Sequence, residues 1–368
     1  MTALRVAVLG AGGTIAPAIV RDLAESEEVS DLLLLDLDEA RASSVASDQG
    51  GGKARPREVD ARSPGALAGE LEGTDVLVNS ASYRVNLDAM RACLDAGCHY
   101  LDLGGLYHVT ARQLELDSEF RQAGLLALLG MGSSPGKTNV MAERAVAELG
   151  STPSRVDVIA GGRDLDPPDG FSIPYALRTL IDELTLAPIA VRDGRPRELE
   201  PLASGGEMSF PEPIGRADTI YTLHSEMLTF PASFGCDEGS FRLSLAPALL
   251  DRLRELAGAP DEEIERAARA ALPPSGQTVA VHIVEAEGDG RVVRVTAITR
   301  PREAWGMGGG IVSTAAPAAA AVRLLARGRL TERGALPPES CVRPDDLFAE
   351  VERRGCEFTV ATEEAMVT

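Results

Sequence analysis

The segment Leu4-Arg5-Val6-Ala7-Val8-Leu9 is a short apolar run, and Gly10-Ala11-Gly12-Gly13-Thr14-Ile15 follows it directly. A helical pattern then extends from Ala16 to Leu23. A strand that leads into a glycine-rich turn and a helix brings backbone N–H groups and the positive end of a helix dipole together. This arrangement suits an anionic phosphate, so the segment predicts a phosphate-binding turn at the start of a parallel sheet.

The next apolar run, Leu32 to Leu35, ends in Asp36, 26 residues after Gly10. An acid at about this spacing accepts hydrogen bonds from the adenosine ribose of a dinucleotide, and its charge disfavours a 2′-phosphate. Arg41, one helical turn further on, leaves NADP as the alternative to NAD. A plain turn between a core strand and a core helix is the structural alternative, since Ile15 replaces the third glycine of the motif. The predicted cofactor contacts here are Gly10, Gly12, Gly13, Thr14, Ile15 and Asp36.

Strand and helix patterns alternate along the first 135 residues. Strand patterns at 4–9, 32–36, 75–79, 99–103 and 125–129 predict a doubly wound parallel sheet of the Rossmann type. Later strand patterns at 156–160, 240–244, 278–285 and 292–299 are typical of an antiparallel sheet. We therefore predict an α/β chain in three parts. They are a Rossmann domain (1–135), an α+β domain with a largely antiparallel sheet (136–312), and a C-terminal segment (313–368) that returns to the first domain.

Composition narrows the class of partner. The net charge of -20 argues against a nucleic acid and against an anionic membrane surface, because both would repel the protein. The five cysteines are scattered and form no C-x-x-C pair, which favours reduced thiols in the cytoplasm over disulfides or a metal site. No signal peptide and no transmembrane helix are expected.

Several polar groups follow predicted strand ends, where ligands of parallel sheets bind. Asn79, Ser80 and Ala81 are expected near the nicotinamide ribose, and Gly104 permits a close approach of backbone to nicotinamide. Asp102 is a candidate partner for a substrate ammonium group. Turn or helix capping is the structural alternative for Asn79, Ser80 and Asp102.

A second set of candidates lies at and beyond the domain junction. Pro135 and Asn139 are expected to line the cleft, although an asparagine at a helix start is usually a cap. His224 and Glu226 alternate, so both face one side if the segment is extended. A histidine and a carboxylate suit the carboxylate and amine of an amino acid, and a surface pair is the alternative.

Short motifs spread over nearly the whole chain resemble the saccharopine dehydrogenase-like oxidoreductases, and among them the lysine 6-dehydrogenases. The motifs are Gly10-Ala11-Gly12, Leu35-Asp36-Leu37-Asp38, Val59-Asp60-Ala61, Asp75-Val76-Leu77-Val78-Asn79, Tyr100-Leu101-Asp102-Leu103-Gly104-Gly105, Gly132-Ser133-Ser134-Pro135-Gly136-Lys137-Thr138-Asn139, Leu325-Ala326-Arg327-Gly328 and Arg333-Gly334-Ala335-Leu336-Pro337-Pro338-Glu339.

The resemblance implies NAD(P)-linked chemistry at a carbon–nitrogen bond of a small amino acid or polyamine, and a homodimer. It implies that Asp60 faces adenine, that the Tyr83 hydroxyl binds substrate or relays a proton, and that Asp117 takes part in proton transfer. The structural alternatives are a surface turn acid for Asp60, a half-buried structural side chain for Tyr83 and a solvated helix residue for Asp117. The leading expectation is oxidation of an amine such as the lysine side chain. Reductive condensation to saccharopine or a carboxylated polyamine is one alternative, and a non-catalytic NAD-binding protein is the other.

Overall fold

The protein, analysed as a computed structural model, is described over residues 3–365, and these form two compact units. The first unit contains the chain up to Lys137 together with Thr314–Val351. The second contains Thr138–Ser313 and the chain from Glu352 onward. The expected domains ended at 135 and 312, and the remaining segment from 313 was expected to return to the first domain as a whole.

The first unit is built on a seven-stranded parallel sheet with the order β15-β6-β5-β4-β1-β2-β3. Its strands are β1 (Leu4–Leu9), β2 (Val29–Asp36), β3 (Ala54–Glu58), β4 (Val76–Asn79), β5 (His99–Asp102), β6 (Leu126–Leu128) and β15 (Gly334–Leu336). Its helices are α1 (Ala16–Ala24), α2 (Glu39–Gln49), α3 (Pro64–Glu70), α4 (Asn86–Ala96), α5 (Leu106–Leu114), α6 (Asp117–Gln122), α12 (Gly309–Ala326, mostly in this unit) and α13 (Pro344–Glu352, up to Val351).

The central strands are buried on both faces, which explains their continuous apolar runs. Val6–Leu9 and Leu32–Leu35 are all buried, so the alternation typical of a half-exposed strand is absent. Strand β1 lies between β4 and β2, where the chain order of the sheet reverses. Ligands of doubly wound sheets bind at such a reversal, outside the carboxyl ends of the strands.

The second unit has a nine-stranded sheet in which β7 and β12 are parallel neighbours and the other pairs are antiparallel. Its strands are β7 (Arg155–Asp164), β8 (Ile189–Arg192), β9 (Arg195–Glu198), β10 (Ser204–Ser209), β11 (Arg216–Tyr221), β12 (Glu238–Ser244), β13 (Thr278–Gly288), β14 (Arg291–Thr299) and β16 (Cys356–Glu364). Its helices are α7 (Lys137–Leu149, from Thr138 on), α8 (Leu177–Thr185), α9 (Glu226–Phe234), α10 (Pro247–Ala257) and α11 (Asp261–Ala270). The predicted fold class is confirmed.

The end of the C-terminal segment, residues 352–365, was expected in the first unit but belongs to the second. Strand β16 pairs antiparallel with β14 along its length, with Val360 opposite Val295 and Cys356 opposite Thr299. The backbone N–H and C=O groups along one side of β14 are satisfied by this pairing, and a solitary tail packed on the first unit would leave them open.

Helix α12 is long and apolar enough to cross a membrane by length and composition alone. However, 72% of its 18-residue window is buried inside the protein, as in a core helix. Arg323 near its C-terminal end is also buried and makes ion pairs with Asp22 and Glu350. Pro317 lies inside this continuous helix.

Candidate active site

Two positions of the turn after β1 admit only glycine. Gly10 has a φ of +74°, and a Cβ there would lie 2.7 Å from the Ala81 Cα atom. A Cβ on Gly12 would lie 2.7 Å from the Cβ atom of Arg41. The backbone is therefore bare where the loops after β1 and β4 approach each other, as a pyrophosphate site requires.

Asp36 ends β2 and turns its carboxylate toward this glycine turn. Its Oδ2 accepts a 2.8 Å hydrogen bond from the Gly12 N–H, and its Oδ1 accepts one of 3.0 Å from Asp38. Arg41 Nη2 donates to the Gly12 carbonyl, which places a guanidinium beside the same turn. The carboxylate of Asp36, which is predicted to bind the ribose, is thus held at Gly12, and the Arg41 guanidinium contacts the same residue.

The helix that follows the turn is open at its N-terminus. Ile15 is the N-cap of α1 and makes no side-chain capping hydrogen bond, and the first turn contains no acid. Thr14 is exposed. The bare glycines, the placed carboxylate and the uncapped helix all fit the phosphates and ribose of a dinucleotide.

Asp60 follows β3 at the same edge of the sheet and is exposed. It binds Arg62 through both oxygens, and the Arg62 guanidinium holds the pKa of Asp60 below its usual value. The predicted contact of Asp60 with adenine stays a prediction.

The segment after β4 is fixed by side-chain hydrogen bonds. Asn79 is buried and donates 2.9 Å and 3.2 Å hydrogen bonds to Asn86 Oδ1 and the Tyr100 hydroxyl, and its Oδ1 accepts a 3.1 Å turn bond from the Ala81 N–H. Ser80 Oγ donates to the Leu9 carbonyl at 2.8 Å. The expected contacts of these residues with the nicotinamide ribose stay predictions. Tyr83 lies in the short 3₁₀ helix that follows, also beyond the carboxyl end of β4.

Asp102 is the centre of a buried hydrogen-bond network. Its Oδ1 accepts bonds of 3.0 Å and 2.6 Å from the Gly104 and Gly130 amides. Its Oδ2 accepts bonds from the side chains of Tyr100, Gln113 and Asn86. Burial raises the pKa of Asp102 above its usual value, although these bonds oppose the shift. The expectation that Asp102 pairs with a substrate ammonium is not supported, because its oxygens are engaged within the domain; Asp102 positions the loops after β5 and β6.

Pro135 packs against the glycines of those two loops. A Cβ on Gly104, whose φ is +130°, would lie 2.9 Å from the Pro135 ring, and one on Gly130 would lie 2.6 Å from it. The structure thus brings Gly104 and Pro135 together, and their expected contacts with the cofactor stay predictions.

Asp117 does not belong to this group. It forms a 2.7 Å ion pair with Arg121 and accepts a hydrogen bond from the Ala335 N–H. Ala335 lies in β15, whose first residue pairs with Leu126, the first residue of β6, so Asp117 is at the amino-terminal edge of the parallel sheet. A role in proton transfer to the substrate does not fit this position at the opposite edge from the glycine turn, and Asp117 instead anchors β15.

In the second unit the structure brings His224 and Glu226 together, but not on an extended strand. Strand β11 ends at Tyr221, and Glu226 is the first residue of α9. His224 Nδ1 lies 3.6 Å from Glu226 Oε2, and the imidazole stacks on Phe241 with ring centres 3.5 Å apart. Both side chains are buried, so the pair is not on the surface.

Two further residues of this unit complete the group and were missed in the sequence. The Tyr175 hydroxyl donates to Glu183 Oε2, and the Glu183 charge acts on His224. Burial lowers the pKa of His224, but Glu226 and Glu183 outweigh it and raise that pKa above its usual value. Burial raises the pKa of Glu183. Tyr175 lies before α8 and Glu183 lies within it, so no local periodicity in the sequence marks their contact.

Helix α7 adds a hydroxyl to this group. Thr138 Oγ1 donates a 2.9 Å hydrogen bond to Glu226 Oε1. Asn139 follows in the same helix and is buried, as is Lys137, which the sequence analysis did not single out.

Within residues 3–365, no group of three or more histidine, cysteine or acidic side chains is arranged to hold a metal ion.

Comparison with known proteins supports the assignment of the first unit. Residues 6–128 match the family of saccharopine dehydrogenase NADP-binding domains. This match spans β1 to β6, including the glycine turn and Asp36. Over these residues the resemblance to the saccharopine dehydrogenase-like proteins is confirmed, and the first unit is similar to an NADP-binding domain.

Similarity to individual proteins extends into the second unit. The chain is 26% identical to carboxyaminopropylagmatine dehydrogenase of Synechocystis sp. over 264 residues, which are 68% of this chain and 65% of that protein. The fold is similar to that of saccharopine dehydrogenase (L-Glu forming) from Saccharomyces cerevisiae, with a TM-score of 0.71 and 15% identity. That match covers 97% of this chain and 100% of the yeast chain.

Proposed function

We propose that this chain, whose first unit belongs to the saccharopine dehydrogenase NADP-binding domains, is an NAD(P)-dependent oxidoreductase acting at a carbon–nitrogen bond. Its substrate is a small amino acid or polyamine derivative. The single observation that carries the proposal is the cradle at the carboxyl end of β1. There, Gly12 donates its N–H to Asp36 beside an uncapped helix N-terminus.

The chain's own residues have separable tasks. The glycine turn and Asp36 bind the adenosine end, and the Pro135 loop shapes the nicotinamide end. Bound NAD(P) supplies the hydride acceptor or donor. An amine nitrogen must be neutral when hydride leaves, and His224, with Glu226 and Glu183, is the titratable group we assign to hold a proton near it. Tyr83 at the carboxyl end of β4 is a further proton relay in this proposal.

Lysine is one candidate substrate, as in the lysine 6-dehydrogenases. The Synechocystis relative is named for a carboxylated polyamine, which favours the second expectation from the sequence, the reductive condensation that forms such a compound. The two reactions differ in what is consumed. Simple oxidation needs only an amine and the oxidised cofactor, whereas condensation consumes an amine, a carbonyl compound and the reduced cofactor.

Absorbance of the reduced cofactor at about 340 nm tests the proposal in both directions. The purified chain is mixed with NAD or NADP and each of lysine, ornithine, agmatine and diamines, and then with NADH or NADPH plus an amine and a small oxo acid or aldehyde. Formation or consumption of reduced cofactor supports the proposal. Tight cofactor binding without turnover in any mixture would contradict it and favour a non-catalytic NAD-binding protein.

We also propose a homodimer in the cytoplasm, without nucleic-acid or membrane partners. The support is the resemblance for the dimer, and the net charge and scattered cysteines for the rest. Light scattering on the purified chain at micromolar concentration measures the mass, and a monomer would contradict the first part.

A further inference from the structure

A cavity of about 300 Å³ opens at the amino-terminal edge of the parallel sheet in the first unit, and it is here called the edge cavity. Of the residues that line it, Leu4 starts β1 and His99 starts β5. Asp75 and Arg333, which also line it, directly precede β4 and β15. Leu4 and Leu325 are half-buried and give the cavity an apolar part. Its volume is at the lower end of the range for small-molecule sites.

The edge cavity is separate from the candidate active site. The glycine turn lies at the carboxyl ends of the strands, whereas the edge cavity lies at their starts. Leu4 and Gly10 are therefore the length of β1 apart, which is about 20 Å. A small ligand in this cavity does not reach the glycine turn, so it is not the reactant of the proposed function.

Arg333 brings to the edge cavity a positive charge that no described carboxylate pairs with. Its Nη1 donates hydrogen bonds to the Leu330 and Glu332 carbonyls at 3.4 Å and 2.7 Å. Among the described residues it has no ion-pair partner, and its Nη2 and Nε atoms donate to none of them. A guanidinium with such open nitrogen atoms is suited to a carboxylate.

His99 adds a neutral donor to the same cavity. Its Nδ1 accepts a 2.9 Å hydrogen bond from the Leu126 N–H, so the ring proton is on Nε2. Burial lowers the pKa of His99 and the Arg333 charge adds to this effect, while Asp75 opposes it. The imidazole is therefore neutral at pH 7, and its Nε2–H has no acceptor in the part of the chain that the structure describes.

Asp75 supplies the opposite charge. Its Oδ2 accepts a 2.7 Å hydrogen bond from the Arg5 N–H, and its Oδ1 has no partner among residues 3–365. The charges of Asp75 and Arg333 both act on His99, so the three groups are close, yet the carboxylate and the guanidinium form no ion pair. Opposite charges that share a cavity without pairing can each bind a ligand group of the other sign.

We propose that the edge cavity binds a small zwitterion, with its carboxylate at Arg333 and His99 and its ammonium group at Asp75. The guanidinium and the Nε2–H donate to the ligand carboxylate, and Asp75 accepts from the ammonium group. A plain anion is repelled by Asp75, and a plain cation is repelled by Arg333. The ligand class is a short amino acid whose charged groups are separated by methylene groups. The site needs neither cofactor nor hydride transfer, so it is independent of the proposed function.

Equilibrium binding tests the edge cavity with probes of equal carbon length. Isothermal titration of the full chain compares 4-aminobutanoate with butanoate and with 1-aminobutane. We expect the zwitterion to bind at least about tenfold more tightly than either singly charged probe, which is the contribution of one charged hydrogen bond. Arg333→Gln should remove this advantage. Arg329→Gln is the matched control, because Arg329 lies on the same segment but pairs with Asp346, and it should bind as the wild type does.

Asp75→Asn tests the other charge. The amide keeps an oxygen for the Arg5 N–H and loses the negative charge, so the affinity for 4-aminobutanoate should fall to that for butanoate. If Arg333→Gln does not fold, this comparison decides alone. Equal affinity of the wild type for all probes, no binding at millimolar concentration, or binding unchanged in both variants would overturn the proposal. NADH affinity, measured by fluorescence, should be the same in both variants, and a parallel loss would count against ligand contacts as the cause.

Discussion

At the residue scale, the cofactor site depends on a few atoms whose placement leaves little freedom. Gly10 combines a left-handed backbone with close contact to Ala81, and Gly12 combines a contact to Arg41 with a hydrogen bond to Asp36. Asp36 and Arg41 lie side by side with opposite charge. The first favours the ribose 2′-hydroxyl of NAD, and the second favours the 2′-phosphate of NADP.

Asp36→Asn should shift the cofactor preference toward NADP. The amide keeps the shape of the side chain but removes its negative charge. That charge repels a 2′-phosphate and strengthens the hydrogen bond to the ribose of NAD. A hydrogen bond to a charged group contributes about 1.5–3 kcal/mol, so the ratio of NADP to NAD affinity should rise by roughly 10–100-fold. Fluorescence titration with NADH and NADPH measures it. Glu39→Gln, exposed on α2, is the control, and an unchanged ratio would show that Asp36 does not face the ribose.

Gly10→Ala should destabilise the protein and weaken cofactor binding. A left-handed non-glycine residue costs about 1–3 kcal/mol, and here the new Cβ also meets Ala81 at 2.7 Å. Gly52→Ala separates the two effects, because Gly52 has a φ of +80° and no atom within 4 Å of an added Cβ. Urea unfolding should show a larger loss for Gly10→Ala. Equal losses would mean that the contact with Ala81 has no consequence.

At the element scale, the ends of helices and strands decide which side chains meet. Glu226 lies beside His224 because α9 begins at Glu226. Thr138, near the start of α7, donates a hydrogen bond to the other carboxylate oxygen of Glu226. Asp102 at the end of β5 gathers donors from two loops and helix α5. The site is therefore built from element termini, where side chains converge from different directions.

His224 should contribute stability that depends on pH. Its pKa is raised above the usual 6.5, so the folded state binds its proton more tightly than the unfolded state. This stabilisation is fully present below about pH 6.5 and is lost as pH rises through the raised pKa. The difference in unfolding free energy between wild type and His224→Gln should be larger at pH 5.5 than at pH 9. Urea unfolding at both values measures it, and a difference that grows with pH would contradict the assignment.

At the scale of the whole molecule, the chain leaves the first unit at Lys137 and re-enters it at Thr314. Helices α12 and α13 then join a core begun by the first strands. Arg323 binds Asp22 at 2.9 Å and Glu350 at 2.6 Å, and all three side chains are buried. These contacts connect α1, α12 and α13 within the first unit. The packing of three helices that are far apart in the sequence therefore involves the Arg323 guanidinium.

Arg323→Met should cost the first unit about 3–5 kcal/mol of unfolding free energy. Removing the guanidinium of a buried ion pair takes that partner from the buried carboxylates: Asp22 loses its 2.9 Å contact, and Glu350 keeps its 2.6 Å pair with Arg327. Arg329→Met is the matched control, because its side chain is about half exposed in the pair with Asp346 and the pair should contribute less, about 1 kcal/mol. Chemical unfolding of both variants gives the comparison. A loss no larger than that of the control would show that the network is not important for stability.

The sequence by itself determined the parallel sheet, the glycine turn and Asp36, because these depend on local patterns: apolar runs, backbone freedom and a fixed spacing. It also determined the largely antiparallel second sheet from β-branched runs. Only the tertiary structure decided that β16 joins β14, that Asp102 and Asp117 are engaged in structural contacts, and that Glu183 and Tyr175 lie beside His224. The reason is physical: strand pairing, burial and charge compensation depend on residues far apart in the chain, and no local pattern contains that information.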